Sequence, residues 1–197
     1  MAKSARSILI LVLAAAVAGL ALIFFMSGNR ESLKKIRPAE GPAAEEETMP
    51  EDSRPKRTVR LLFVDEERES LIPEEREIVA DAAAPAFEAR QIIQELIRGS
   101  RTGLLSPIPP ETKLIQVYVA KDGTAYVDFS REFADRHPSG SSAEIATIYA
   151  VVDSLAINLK SVRKVCLLVD GEERETLAGH IAISRPIPPD FSKIAGD

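Results

Sequence analysis

The stretch KLIQVYVAKDGTAYVDFS, residues 113–130, decides the fold, because two runs of alternating apolar residues flank one turn signal. A three-residue loop, Lys121-Asp122-Gly123, with Gly123 in the left-handed conformation, joins the two runs as a β-hairpin. A two-residue Asp-Gly loop would instead pair Val119 with Tyr126 and mix the two faces of the hairpin. The sequence therefore predicts the three-residue loop.

This loop assigns each side chain of the hairpin to one of two faces, and Ala120 then lies opposite Thr124. One face is apolar and pairs Val119 with Ala125, Val117 with Val127, and Ile115 with Phe129. The other face is mixed and pairs Tyr118 with Tyr126 and Gln116 with Asp128. We expect the apolar face to be buried.

Upstream of the hairpin, the pattern predicts two strands and a helix. The strands are Val59–Val64 and a piece around Arg76–Ala80, separated by an acidic turn. Pro85 suits the first position of a helix. The helix carries an apolar stripe at i, i+3 and i+4 spacing, and Gly99 is its expected C-cap.

Downstream of the hairpin, a second helix is predicted to begin at Ser141, since Ser141 and Glu144 have the spacing of a capping box. Its apolar stripe comprises Ile145, Ile148, Tyr149, Val152, Leu155, Ala156 and Leu159. Three extended segments follow: a central strand Val165–Val169, a shorter strand near Arg174–Leu177, and Ile181–Ile183.

The order β(β)αββαββ indicates an α+β fold, in which two helices cover one face of a mixed, mostly antiparallel sheet. Two helices cannot cover both faces of four or more strands. We therefore expect an uncovered face that carries Tyr118, Tyr126, Gln116 and Asp128, and this face is the candidate interaction surface.

The chain begins with a short basic tail, residues 1–7, and an uncharged apolar span, residues 8–26. The span is about 29 Å long as a helix, which is close to the thickness of a bilayer core. It exceeds the usual length of a signal-peptide apolar region, so we predict a retained transmembrane anchor. The flanking Lys and Arg residues leave its orientation open.

Between the anchor and the compact region, residues 27–58 are rich in proline and charge and are predicted to form a disordered linker. The predicted domain is 59–190, with a C-terminal tail at 191–197. The net charge is −5 and no basic stripe occurs, which argues against nucleic acid as a partner. The single cysteine, Cys166, excludes an internal disulfide. It lies between a valine and a leucine in the most apolar strand, so we predict a core residue and not a reactive thiol.

Candidate catalytic residues are few. His137 and His180 lie in polar loops and lack metal-ligand spacing with each other or with Cys166. A Ser-His-Asp site built from Ser139 or Ser141, His137 and Asp128 is conceivable, but triads are recognised by geometry and not by proximity in sequence. Since no phosphate-binding, dinucleotide-binding or zinc motif is present, we predict no catalytic residue, no cofactor and no metal site.

The segment from Val59 to about Pro188 resembles a GerMN domain, the module of GerM-type sporulation and germination proteins. The matching pieces are the opening VRLLFV, the helix end ELIRG at residues 95–99, the connector LLSPIPP at residues 104–110, the hairpin, the helix 143–155, and the close at residues 165–171 and 177–180. The resemblance implies a non-catalytic, extracytoplasmic module of the bacterial envelope that assembles with a partner or binds a ligand.

We therefore expect a single-pass protein of the cytoplasmic membrane whose domain is extracytoplasmic and contacts an envelope protein. The alternative is a module that binds peptidoglycan or another envelope glycan, although the chain has no Trp and only three Tyr for stacking on sugars. A hydrolase is the third hypothesis and would require a histidine in a cleft beside a nucleophile.

Overall fold

The computed structural model describes residues 55–67 and 69–195. They form an α+β domain, as predicted, with ten elements in chain order. These are β1 (Lys56–Asp65), β2 (Ser70–Val79), α1 (Pro85–Arg98), β3 (Leu114–Val119), β4 (Thr124–Phe129), the short α2 (Glu132–Asp135), α3 (Ser141–Asn158), β5 (Lys164–Val169), β6 (Glu172–Glu173) and a 3-10 turn at Phe191–Lys193.

The three-residue loop of the central hairpin is confirmed. Ala120 N–H donates to the Thr124 carbonyl at 2.8 Å, and Gly123 N–H donates to the Ala120 carbonyl at 3.0 Å. Gly123 has φ +86°, a conformation that a residue without a Cβ adopts at little cost. Tyr118 faces Tyr126 and Gln116 faces Asp128, in the predicted register.

The predicted pairing of Ile115 with Phe129 is wrong. The register shifts between Leu114 and Gln116, so Leu114 faces Phe129 while Ile115 is 46 % exposed. A bulge adds one residue to one strand and leaves that residue unpaired. The extra residue places Leu114, in place of Ile115, opposite buried Phe129.

The strands form two sheets where one was predicted. The first is the antiparallel pair β1–β2, and the second has the order β3-β4-β5-β6, with β4 and β5 parallel and the outer pairs antiparallel. The physical reason lies at the free edge of β1. There, Leu62 N–H donates to the Ser154 hydroxyl at 3.0 Å, and the Asn158 side chain bonds both backbone groups of Arg60. Side chains of α3 thus occupy the positions that a neighbouring strand would take.

The long helices share a core with the inner face of the four-stranded sheet. Helix α1 begins at Pro85, and Gly99 at φ +87° is its C-cap, both as predicted. The shared core includes Leu61 and Phe63 of β1, Ile92 and Leu96 of α1, Val127 and Phe129 of β4, Val151 and Leu155 of α3, and Val165 and Leu167 of β5.

The predicted capping box is wrong, although α3 does begin at Ser141. Gly140 is the N-cap, and no side chain caps the first turn. Glu144 is fully buried and accepts hydrogen bonds from residues 180 and 181 instead. The carboxylate therefore satisfies a distant loop and not the N-terminus of its own helix.

The predicted strand near Arg174–Leu177 also differs. Strand β6 is Glu172–Glu173, and the chain then leaves the sheet. Leu177 N–H donates to the Ile181 carbonyl at 3.1 Å, and Ile183 N–H donates to the Glu175 carbonyl at 3.0 Å. Both predicted extended segments pair locally with each other, because their nearest free backbone groups lie across this short loop.

Within the described residues, no helix has the length and apolar content needed to cross a membrane. The predicted anchor at residues 8–26 and nearly all of the predicted linker lie outside those residues.

Candidate functional site

The two tyrosines of the central hairpin stand side by side on the outer face of the four-stranded sheet. Tyr118 is 57 % exposed and Tyr126 is 37 % exposed. Their ring centroids are 6.4 Å apart and the planes are tilted by 38°. Strand alternation positions them, since Val117 and Val127 on either side turn inward to the core. The pair offers rigid, amphipathic surface of the kind enriched at protein interfaces.

The two polar members of the candidate surface differ in their roles. Gln116 is exposed beside Tyr118. Asp128 is half-buried, and its carboxylate accepts a hydrogen bond of 2.8 Å from Gly171 N–H. Asp170 and Gly171 both have positive φ, so this bond stabilises the tight turn between β5 and β6. Asp128 therefore fixes the β5–β6 turn at the edge of the candidate interaction surface.

Cys166 lies on β5 opposite Tyr126, yet it is only 2 % exposed. Burial raises the pKa of its thiol, and the nearby carboxylate of Glu173 raises it further. A neutral, enclosed thiol is a poor nucleophile. The prediction that Cys166 is a core residue is confirmed.

His137 is buried and belongs to a chain of hydrogen bonds that joins three segments. Its Nδ1 accepts from Ser139 N–H at 3.2 Å, so in the neutral ring Nε2 carries the proton and donates to the Thr147 hydroxyl at 2.8 Å. Thr147 in turn donates to the Pro107 carbonyl at 2.6 Å. Burial lowers the pKa of His137, with Glu144 acting in the opposite direction. Neither ring nitrogen bonds to Asp128 or to the hydroxyl of Ser139 or Ser141, so the structure does not assemble the Ser-His-Asp site considered above.

His180 is paired with a buried carboxylate. Its Nδ1 lies 2.8 Å from Glu144 Oε1, and Ile181 N–H donates to Glu144 Oε2 at 2.8 Å. Burial alone would raise the pKa of Glu144, but these hydrogen bonds outweigh burial and hold the pKa below its ordinary value. The arrangement fixes the loop around residue 180 against the first turn of α3. The only hint of it in the sequence is an acidic residue in the first turn of a largely apolar helix.

Asp153 is the second buried carboxylate of α3. Its Oδ1 accepts from Asp190 N–H at 3.0 Å, while its Oδ2 has no partner. Burial, together with the nearby charge of Asp190, raises the pKa of Asp153 to about 6, against the single hydrogen bond. The group tethers the C-terminal segment to α3.

An open groove of about 430 Å³ lies between the β1–β2 turn and the first turns of α3. Its lining is partly apolar and includes Val64, Leu71, Leu105, Ile145 and Ala146. No Phe, Tyr or Trp of the described residues lines the groove, so it offers no aromatic side chain on which a sugar ring could stack. Across residues 55–67 and 69–195, no cluster of three His, Cys, Asp or Glu residues could hold a metal ion.

Comparison with known proteins identifies the family to which this chain belongs. A family model described as Germane, sporulation and spore germination, matches residues 60–175, which is more than half of the chain. The chain belongs to this family. The predicted resemblance to GerMN domains is thereby confirmed.

Solved GerMN domains have the same fold as this chain. The tandem GerMN domains of the sporulation protein GerM from Bacillus subtilis are 22 % identical with a TM-score of 0.52, and the match covers 69 % of this chain and 46 % of that one. The first GerMN domain of that protein is 23 % identical with a TM-score of 0.52, over 67 % and 97 % of the two chains. A protein from Clostridium perfringens assigned as a lipoprotein is 27 % identical over 68 % and 87 %, with a TM-score of 0.49. No curated protein matches the chain.

The Germane segment contains both tyrosines of the outer face. It ends at Glu175, before His180 and before the C-terminal segment that Asp153 holds. The candidate interaction surface therefore lies within the Germane segment. The groups that bond to Glu144 and Asp153, around residues 180 and 190, lie beyond that segment.

Proposed function

We propose that this Germane protein is a non-catalytic interaction module of the bacterial envelope, tethered to the cytoplasmic membrane by its N-terminal apolar span, with the domain on the extracytoplasmic side. The observation that carries the proposal is the exposed pair Tyr118 and Tyr126 on the sheet face opposite the helices. Exposed aromatics on a rigid sheet lose little conformational entropy on binding. The family description gives sporulation or spore germination as the setting of the proposed role.

The engagement of both His137 nitrogens, the burial of Cys166 and the structural use of Asp128 support a role without catalysis. His137 and Asp128 already have structural partners, and Cys166 is enclosed by the core.

The test replaces both tyrosines, Tyr118→Ser with Tyr126→Ser, in the full-length protein in its own cells. A photo-crosslinking residue at position 118 reports the proteins that contact the surface. The matched control is position 191, since Phe191 is an aromatic residue that is 51 % exposed outside this face. We expect specific crosslinks from position 118, none of the same species from position 191, and loss of the partner from pull-downs of the double variant.

Protease added to spheroplasts should degrade the domain, which would support its extracytoplasmic position. If the double variant folds normally and keeps every partner that the wild-type protein captures, the interface lies elsewhere. A domain protected from protease until the membrane is broken would overturn the proposed location.

A further inference from the structure

Edge strands present unpaired backbone groups, and natural proteins protect such edges with charge, proline, short length or a covering segment. Three of the four edge strands in the described domain are protected. Strand β1 is bonded by Ser154 and Asn158, and β2 contains Pro73 and receives Ala195 N–H at the Leu71 carbonyl. Strand β6 has two residues, and both are glutamates.

Strand β3 is the exception. Its sequence, LIQVYV, has no charge and no proline, and Ile115, Gln116 and Tyr118 are exposed. The regular part of this edge is short, because the bulge at Ile115 limits it on one side and the loop beginning at Lys121 limits it on the other. The stretch available for pairing is therefore residues 116–120, and its central residue is Tyr118.

The direction of the backbone groups follows from the hairpin. Ala120 N–H donates to the Thr124 carbonyl across the hairpin, so by alternation Tyr118 and Gln116 also direct their backbone groups to β4. Val117 and Val119 consequently direct theirs to the free side. In the described residues, no loop or helix forms a backbone hydrogen bond with either valine.

We propose that β3 pairs antiparallel with β3 of a second copy of this chain, around a two-fold axis at Tyr118. This proposal rests on the proposed function and names the partner. In this register Val117 forms hydrogen-bonded pairs with Val119 of the second copy, and Tyr118 faces Tyr118 of the second copy. Two four-stranded sheets then become one eight-stranded sheet, and the four tyrosines form one row on its outer face.

The length of the free edge favours this register over its neighbour. An axis at Tyr118 pairs all five residues 116–120 of each copy, whereas an axis at Val117 would pair only residues 116–118. None of the five paired residues carries a charge. The neutral strand therefore allows two acidic molecules to meet at the point where neither carries charge.

The test uses two differently tagged copies of the full-length protein, co-expressed and purified in detergent. We expect the wild-type copies to co-purify. Tyr118→Lys in both copies should abolish co-purification, because two ammonium groups would then face each other across the axis. Tyr118→Lys in one copy with Tyr118→Glu in the other should restore it. Since Tyr118 is exposed, these variants should fold, and circular dichroism verifies that they do.

A covalent readout checks the register. In a Cys166→Ala background, mild oxidation of Tyr118→Cys should give a disulfide-linked dimer, since opposed residues of a non-hydrogen-bonded pair have Cα atoms about 4.5 Å apart. Tyr126→Cys is the matched control. It lies one strand further from the axis in each copy, so the two cysteines would be three strand spacings, about 14 Å, apart.

Absence of co-purification in the wild type would overturn the inference, as would self-association that Tyr118→Lys leaves intact. If photo-crosslinks from position 118 reach only a different envelope protein, the proposed function stands and the second copy is the wrong partner. If position 118 reaches no protein at all, both proposals fall.

Discussion

At the scale of single residues, the most informative groups are the buried polar side chains of α3. Glu144, Thr147 and Asp153 each bond to a segment at least 37 residues away in the chain. A buried polar group without a partner costs on the order of 1–3 kcal/mol, so such groups identify tertiary contacts that the domain depends on. The sequence shows these three residues but not their partners.

Asp153 should make stability depend on pH in the acidic range, between its ordinary pKa of 3.8 and its pKa of about 6 in the folded protein. Its pKa of about 6 in the folded protein lies above the ordinary 3.8. Between these values the folded state binds more protons than the unfolded state, so this group's contribution to stability falls as pH rises through that window. We expect the free energy of unfolding of the wild type, relative to Asp153→Asn, to fall by about 2–3 kcal/mol between pH 4 and pH 7.

Urea denaturation of both proteins at several pH values measures this difference. The control is Asp135→Asn, which removes an exposed carboxylate and should reproduce the wild-type profile. If the free energies of unfolding of the wild type and Asp153→Asn changed with pH in the same way, the buried carboxylate would not be the source of the pH dependence.

At the scale of elements, the hairpin β3–β4 depends on one glycine. Gly123 has φ +86°, and its carbonyl accepts from Arg163 N–H at 2.8 Å. An added Cβ would lie 2.9 Å from Arg163 Cγ and 3.2 Å from the Ser161 carbonyl. The loop thus closes the hairpin and also contacts the segment that leads into β5.

Replacement of this glycine should therefore cost more than the left-handed conformation alone. We expect Gly123→Ala to lower the free energy of unfolding by about 2 kcal/mol or more, from backbone strain and steric contact together. Gly103→Ala is the matched control, since Gly103 has φ +89° but nothing within 4 Å of the added Cβ. It should cost only about 1–2 kcal/mol. Equal urea midpoints for the two variants would contradict a role for the contact with the β5 segment.

At the scale of the whole domain, two sheets behave as one unit because α3 is bonded to the first and packed on the second. Leu62 N–H on β1 is buried and donates to the Ser154 hydroxyl, while Val151 and Leu155 of the same helix face the shared core. Cooperative unfolding follows when no part of a domain can open without exposing the core of another part.

We therefore expect Ser154→Ala to destabilise the entire domain by about 1–3 kcal/mol, because it leaves the buried Leu62 N–H without a partner. Far-UV circular dichroism and tyrosine fluorescence should follow a single coincident transition in both proteins. Ser161→Ala is the matched control, since Ser161 is exposed in the loop before β5, and it should leave the midpoint unchanged. Early loss of dichroism with unchanged fluorescence would mean that the β1–β2 sheet opens independently.

The sequence by itself determined the α+β class, the order of the two long helices and of the strands up to β5, the hairpin loop with the Tyr118–Tyr126 pair, and the family. These features depend on local periodicity and turn chemistry, which neighbouring residues encode. The tertiary structure alone decided the division into two sheets, the bulge that exposes Ile115, the capture of Glu144 by the loop at residue 180, and the neutral edge at β3. Each of these depends on which distant backbone group meets a given side chain, and no local pattern contains that information.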